Sequence, residues 1–91
     1  MDISFDSAKR ISNRAKHGLD LADAGEVFEG RNATRQDTRR DYGEDRFQTA
    51  GYVSGECVVL VWTPRDGGRR IISMRHVHAD EEQRWFGPDD Q

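Results

Sequence analysis

Two short basic segments contain the residues of this chain that are best suited to phosphate chemistry. Lys16-His17-Gly18 ends a short amphipathic segment, and Arg70-Ile71-Ile72-Ser73-Met74-Arg75 ends a predicted strand. An imidazole can donate or accept a proton near neutral pH, and ammonium and guanidinium groups bind phosphate oxygens. Together the two segments predict a small site that binds phosphate esters and can cleave them.

Some of these side chains also have a structural interpretation. Lys16 and His17 precede a glycine that is predicted to end a helix, where the helix dipole stabilises positive groups. Glu44 is a candidate general base, but it lies two residues from Arg46 and can form an ion pair with it. Both interpretations of these residues stay open at the level of the sequence.

Arg65 and Arg75 are the best candidates for stabilising negative charge on a reacting phosphate. A predicted turn over residues 64–68 separates them along the chain. We therefore expect Arg65 near Arg69 and Arg70, and Arg75 beside the start of the strand at residues 57–63.

No metal site or cofactor is predicted. His76 and His78 form an H-x-H pair, but no further ligand stands at a recognised spacing. The lone Cys57 lies in an apolar run and cannot form an internal disulfide. The chemistry is therefore expected to rest on ordinary side chains.

Composition limits the classes of function. The net charge is −3, which argues against a nucleic-acid binder held by bulk electrostatics. Of the 14 basic residues 12 are Arg, the side chain suited to bidentate phosphate contacts. The opening segment is short and acidic and no apolar run reaches membrane-spanning length, so we expect one cytoplasmic domain over residues 1–91 with no membrane association.

The predicted N-terminal elements are a short edge strand and two helices. Ile3 and Phe5 alternate with polar residues, and Asp6 is a predicted N-cap for a helix that ends at Gly18. Helical spacing predicts that one stripe of this helix is buried: Ala8, Ile11 and Ala15. Asp20 is predicted to cap a second helix, ended by Gly30, with four residues facing inward: Leu21, Ala24, Val27 and Phe28.

The rest of the chain predicts strands and a last helix. Residues 34–40 form a charged edge strand, and residues 46–53, 57–63 and 69–76 form a meander with 57–63 in the centre. Alternation in the last strand places Ile72 and Met74 on one face, and Ile71, Ser73 and Arg75 on the other. A helix over residues 80–86 ends at Gly87-Pro88. The predicted class is α+β: two N-terminal helices packed on an antiparallel three- to four-stranded sheet, then a C-terminal helix.

The order of motifs resembles the BrnT toxin family over residues 5–86. The N-terminal part of the resemblance consists of Phe5-Asp6, Lys9, Asn13, Lys16-His17-Gly18, Ala24 and Phe28. The remainder consists of Gly43-Glu44, Arg46, Gly51, Trp62-Thr63, Arg65, Arg70-Ile71-Ile72-Ser73, Arg75 and Glu81. The resemblance implies a RelE-like fold and an mRNA-cleaving toxin. It also implies a DNA-binding antitoxin, BrnA, that neutralises the toxin and represses their shared operon with it.

On this interpretation the chain is a metal-independent endoribonuclease that arrests growth. The candidate catalytic residues are Lys16, His17, Glu44, Arg65 and Arg75, and the candidate RNA-binding residues are Lys9, Asn13, Arg46 and Arg70. Asn13 can alternatively cap a neighbouring loop, and Trp85-Phe86 can stack a base or pack the last helix. The expected partners are RNA and a BrnA-like ribbon-helix-helix antitoxin in a hetero-oligomer, with operator DNA contacted only through the antitoxin.

Two other functions are compatible with the sequence. A non-enzymatic binding module would act only as antitoxin partner and co-repressor, an idea motivated by the net acidity and by Glu82. Such a protein would bind its partner tightly and leave RNA intact. A direct binder of duplex DNA is the weakest hypothesis, because the sequence has no helix-turn-helix or ribbon-helix-helix pattern.

Overall fold

The computed structural model describes residues 2–87, in which one five-stranded sheet carries three α-helices. The elements in chain order are β1 (Ile3–Phe5), α1 (Ser7–His17), a 3₁₀ turn (Leu21–Asp23), α2 (Ala24–Glu29), β2 (Ala33–Gln36), β3 (Phe47–Val53), β4 (Glu56–Arg65), β5 (Gly68–His76) and α3 (Ala79–Phe86). The α+β class is confirmed, and the RelE-like assignment stays a prediction.

The sheet differs from the predicted one in size and in strand direction. Its order is β1-β5-β4-β3-β2, with β1 parallel to β5 and every other neighbouring pair antiparallel. The prediction of three or four antiparallel strands is therefore wrong, because β1 joins the sheet in parallel beside β5. β4 is the middle strand, as its apolar run predicted.

Two tight turns connect the meander. Ser54-Gly55 and Asp66-Gly67 have φ values of 51°, 80°, 55° and 77°, the left-handed pairs that suit two-residue hairpins. The turn predicted over residues 64–68 is shorter than expected, since Pro64 pairs with Arg69 in the ladder. Pro64 lies past Trp62, the last residue of β4 that pairs with β3, so on that side its missing N–H costs no hydrogen bond.

The core lies between one face of the sheet and the segment from the 3₁₀ turn through α2. Its buried residues are Leu21, Ala24, Val27, Val53, Val58, Leu60, Trp62, Ile71 and Met74. Gly51 permits the close approach of α2 to β3, because a Cβ at this position would lie 2.6 Å from Val27 Cγ1. Phe28 packs against the core while partly buried, so the predicted inward face of the second helix is confirmed.

Two predicted boundaries shift in the structure, and one is confirmed. Asp20 caps the 3₁₀ turn by accepting a hydrogen bond from the Ala22 N–H at 3.0 Å, and α2 begins only at Ala24. The charged edge strand ends at Gln36 rather than at residue 40, because Asp37 is buried and starts a separate loop. Gly87 ends α3 as predicted, and Pro88 lies outside the described residues. No helix within residues 2–87 has the length and apolar character needed to cross a membrane.

A bulge in β5 overturns the predicted alternation of that strand. Val61 pairs with Ser73 but Trp62 pairs with Ile71, so Ile72 is the extra residue. Ile71 and Met74 consequently both point into the core, and the prediction that Ile71 shares a face with Ser73 is wrong. Simple alternation cannot reveal such a shift, because it assumes one residue per position on each strand.

Helix α1 lies along β5 with the opposite face inward from the one predicted. Asp6 caps its start and Gly18, at φ 72°, caps its end, both as predicted. However, Ile11 is 71% exposed, whereas Asn13 is the one residue of α1 that is buried. The prediction that the stripe of Ala8, Ile11 and Ala15 is buried is therefore wrong.

Asn13 explains why α1 docks through a polar face. β1 pairs only with the first part of β5, so the Met74 N–H is free to donate to Asn13 Oδ1 at 3.0 Å. Asn13 Nδ2 donates to the Leu19 carbonyl at 3.1 Å, which fixes the chain after α1. The amide therefore joins α1 to the sheet, in agreement with its alternative interpretation as a loop cap.

Replacing Asn13 with alanine is expected to lower the free energy of unfolding by about 2–4 kcal/mol, because the buried Met74 N–H loses its partner at about 1–3 kcal/mol and the half-buried Leu19 carbonyl loses its partner at about 1 kcal/mol. Urea unfolding of Asn13→Ala, with the exposed Ser12→Ala beside it as control, measures the change. Wild-type stability combined with weaker RNA binding would instead return Asn13 to the role of an RNA contact.

Candidate functional site

The strand register collects arginines on the sheet face opposite the core. Val59, Val61 and Thr63 of β4 share that face, and their partners on β5 are Arg75, Ser73 and Arg70. The bulge at Ile72 is what brings Arg70 to the same side as Arg75. Arg65 follows the alternation of β4, Arg46 stands just before β3, and Arg35 pairs with Gln48 opposite Val61. We call this set the arginine face: Arg35, Arg46, Arg65, Arg70 and Arg75.

The arginine face is elongated rather than a single pocket. Arg75 pairs with Val59 near the start of β4, and Arg65 lies at the end of that strand, as predicted. Six residues of extended chain separate these two positions, which corresponds to about 20 Å. Arg65 and Arg75 therefore do not belong to one compact pocket.

A groove between α1 and β5 adjoins this face and contains the candidate acid–base group. It has a volume of about 150 Å³ and is lined by Lys9, Ser12, Asn13, Lys16, His17, Ile72 and Ser73. Ser73 is part of the groove wall and lies on the same side of the sheet as the arginine face. The groove therefore brings Lys9, Lys16 and His17 of α1 next to Ser73 of β5, from which they are distant in the sequence.

Glu44, Arg46 and Arg65 form a second cluster at the far end of β4. Glu44 Oε2 accepts a hydrogen bond from Arg46 Nε at 3.2 Å, and its Oε1 lies 3.5 Å from a terminal nitrogen of Arg65. The Arg46 guanidinium also stacks 4.1 Å from the centre of the Tyr42 ring. The ion pair foreseen between Glu44 and Arg46 is thus present, and both carboxylate oxygens face arginines.

Asp37 organises the loop that carries this cluster. Its buried carboxylate accepts hydrogen bonds from Arg39 at 2.8 and 2.7 Å and from the Tyr42 hydroxyl at 3.3 Å. The Asp37 N–H donates to the Arg46 carbonyl at 2.8 Å and closes the loop. The Arg39 guanidinium holds the pKa of Asp37 at about 2, below its ordinary value of 3.8.

The lowered pKa of Asp37 predicts a loss of stability in acid. The folded state binds this proton more weakly than the unfolded state, so the stabilisation is complete above about pH 4 and disappears as the pH falls toward 2. Thermal unfolding of wild type and Asp37→Asn at a series of pH values measures the effect. The difference in melting temperature between the two proteins should shrink from pH 5 to pH 2, and a constant difference would refute the assignment.

Arg75 is held by an acidic helix. Its two terminal nitrogens donate to the Glu81 carboxylate at 2.9 and 2.8 Å, in a bidentate pair. The hydrogen bonds from Arg75 lower the pKa of Glu81, and the pKa of Arg75 is raised by the same contact. A carboxylate thus occupies the guanidinium edge to which a phosphate would bind.

Helix α3 covers one part of the arginine face through side-chain contacts. Glu82 accepts a hydrogen bond from the Tyr52 hydroxyl, and burial raises the pKa of Tyr52 to about 12. Arg35 stacks 4.3 Å from the centre of the Trp85 ring, and no residue of α3 is buried. Trp85 thus packs the last helix against Arg35 of β2, which agrees with the packing alternative predicted for Trp85-Phe86. Arg35 and Tyr52 were not predicted as site residues, because strand propensity was the only signal at their positions.

Metal ligands do not converge in the described part of the chain. Residues 2–87 contain no group of three or more His, Cys, Asp or Glu side chains that could hold a metal ion. His76 ends β5 with Nδ1 3.5 Å from a Glu56 oxygen, and His78 occupies the N-cap position of α3. Burial raises the pKa of the Cys57 thiol to about 11.

A known protein family matches this chain. The family model described as "Ribonuclease toxin, BrnT, of type II toxin-antitoxin system" matches residues 5–81, which is most of the chain. The matched span contains the groove between α1 and β5 and every member of the arginine face. No curated protein matches the sequence.

Proposed function

Because this chain belongs to the BrnT family of ribonuclease toxins of type II toxin–antitoxin systems, we propose that its groove and arginine face bind and cut single-stranded mRNA. The observation that carries the proposal is the junction of the two at Ser73, where a histidine and two lysines border a row of arginines. An extended RNA strand can lie along the face with one phosphate at the groove.

The proposed reaction uses the 2′-hydroxyl of the RNA as nucleophile. The 2′-oxygen forms a bond to phosphorus, the bond from phosphorus to the 5′-oxygen breaks, and a 2′,3′-cyclic phosphate results. One proton must leave the 2′-hydroxyl and one must reach the 5′-oxygen. His17 can perform one of these transfers and solvent water the other, and such acid–base groups contribute about 10²- to 10⁴-fold to a rate.

The cations have separate proposed roles. Lys16, beside His17 in the groove, binds the scissile phosphate, and Arg75 stabilises the negative charge of the phosphorane. Lys9 and Arg70 hold the adjoining phosphates. Arg75 must exchange the Glu81 carboxylate for phosphate to do this, so binding of RNA competes with the contact to α3.

We assign the second cluster to binding rather than to proton transfer. Glu44 was a candidate base, but its two oxygens face Arg46 and Arg65, so in our proposal it orients those arginines toward the RNA backbone. Asn13, with its amide directed to Leu19 and Met74, positions α1 and hence Lys16 and His17.

The wider role follows from the family. A type II system pairs the toxin with an antitoxin protein. We propose further that the fold is RelE-like, that the toxin acts in the cytoplasm and arrests growth, and that the antitoxin is a BrnA-like ribbon-helix-helix protein. In this proposal the two proteins form a hetero-oligomer that represses its operon, with the antitoxin making the DNA contacts.

One observation favours the alternative of a non-enzymatic binding module. The bidentate contact between Glu81 and Arg75 satisfies the guanidinium within the chain, as a module without a phosphate substrate would. Controlled expression in bacteria separates the two functions. A ribonuclease toxin stops growth and depletes mRNA until the antitoxin is co-expressed, whereas unchanged growth and mRNA in a strain without the antitoxin would favour the module.

A further inference from the structure

The outer side of α1 carries an apolar stripe that the fold does not use. Ile11 is the one large hydrophobic side chain that is exposed within residues 2–87, at 71%. Ala8 and Ala15, one turn before and after it, are exposed as well. These three residues, which we call the α1 stripe, lie together because positions three and four apart are neighbours on a helix.

The stripe lies outside the hydrophobic core. A helix turns about 100° per residue, which places Ile11 and Ala15 on the side opposite Asn13, the residue that joins α1 to β5. The inward side is polar and lies over the groove, and the outward side is apolar. The apolar side is therefore open to another molecule.

The charge around the stripe limits what can cover it. Between Ser7 and His17 the helix has no acidic residue. It has four lysines and arginines: Lys9, Arg10, Arg14 and Lys16. Asp20 accepts hydrogen bonds from Arg10, but the Arg14 side chain is 69% exposed and lies 4.0 Å from the same carboxylate. A second copy of the chain would bring two basic helices together, and this repulsion disfavours a homodimer.

We propose that the α1 stripe binds an amphipathic helix of the antitoxin, with apolar residues against Ile11 and acidic residues beside Arg14. The identity of the partner rests on the proposed function, whereas the surface and the chemistry of its ligand rest on α1 alone. The small residues Ser7, Ala8 and Ala15 are the helical neighbours of Ile11 and permit the close approach of a helix.

The test measures binding of the antitoxin encoded beside this chain to the full-length protein by calorimetry. Ile11→Glu and Ala15→Glu are compared with Ala22→Glu, which introduces the same charge at an exposed alanine of the 3₁₀ turn. Both stripe variants should weaken binding by about 10- to 100-fold, the effect of losing one buried aliphatic contact, and the Ala22 variant should bind like wild type. Wild-type affinity in both stripe variants would overturn the proposal.

Two further arms separate the alternatives. Arg14→Glu should slow association and flatten its salt dependence, and faster association would mean that the partner is basic and the proposal wrong. Sedimentation of the chain alone should give a monomer, whereas a dimer that Ile11→Glu dissociates would show that a second copy covers the stripe. Ile11→Glu without antitoxin should degrade RNA as wild type does. The RNA cleavage assay on the wild-type protein tests the ribonuclease proposal separately from the binding experiment.

Discussion

Replacing His17 with alanine is expected to reduce the rate of RNA cleavage by about 10²- to 10⁴-fold, the usual contribution of a positioned acid or base. His17 is partly exposed and lines the groove between α1 and β5, so the substitution removes the imidazole without opening the core. Single-turnover cleavage of a labelled RNA measures the rate. Because the cations remain, RNA affinity should change far less than the rate.

His78→Ala is the matched control for this prediction. His78 is an exposed histidine at the N-cap position of α3, where its side chain makes no capping hydrogen bond. Its removal should leave cleavage unchanged. If His17→Ala retained the full rate, His17 would be only a helix-end residue that interacts with the dipole, and the acid–base role would pass to another group.

Replacing Arg75 with alanine should reduce the rate by about 10²- to 10³-fold, the cost of removing one group that stabilises charge in a transition state. The guanidinium lies on the same sheet face as Ser73 and Arg70, beside the groove. Arg75→Lys should recover only part of the rate, since an ammonium cannot bind two phosphate oxygens in a bidentate manner. The same cleavage assay measures all three proteins.

A second variant distinguishes chemistry from structure at this position. Arg75→Ala also removes the ion pair with Glu81, which links β5 to α3. Glu81→Gln breaks that ion pair but keeps the guanidinium, so it should cleave RNA at least as fast as wild type and bind it more tightly. Equal losses in Arg75→Ala and Glu81→Gln would mean that the ion pair matters and that Arg75 does not act on phosphate.

The sequence predicted the elements of this fold well wherever local chemistry decides them. Helix α1 begins after Asp6 and ends at Gly18, because the Asp6 side chain and the Gly18 backbone have the properties of helix caps. Ser54-Gly55 produced the expected hairpin, and the apolar run of β4 identified the middle strand. Each of these features depends on a few neighbouring residues.

The errors arose where distant residues decide the outcome. The apolar stripe of α1 was predicted to be buried. Instead, Asn13 accepts a hydrogen bond from the Met74 N–H, so the Asn13 side of the helix faces the sheet and the stripe faces outward. The parallel pairing of β1 with β5 brings together residues 3 and 69, which periodicity cannot foresee. The bulge at Ile72 depends on how β4 and β5 pair, and not on β5 alone.

The candidate site could be predicted in its residue types but not in its arrangement. Lys16 and His17 lie together in the sequence and share the groove in the structure. Arg70 lies on the same face as Arg75 only because of the bulge in β5. Glu81 binds the Arg75 guanidinium only because α3 follows a path that brings it there. Site arrangement is therefore a property of the sheet register, which a single sequence does not reveal.

The most direct test of the ribonuclease proposal is cleavage of a single-stranded RNA by the purified full-length chain in EDTA. The proposed mechanism predicts that cleavage persists without divalent metal, that the products carry 2′,3′-cyclic phosphate ends, and that His17→Ala and Arg75→Ala both slow it. RNA that stays intact in EDTA and is cut when Mg²⁺ is restored would contradict a mechanism built on side chains alone. RNA that stays intact under both conditions would contradict cleavage by the chain on its own.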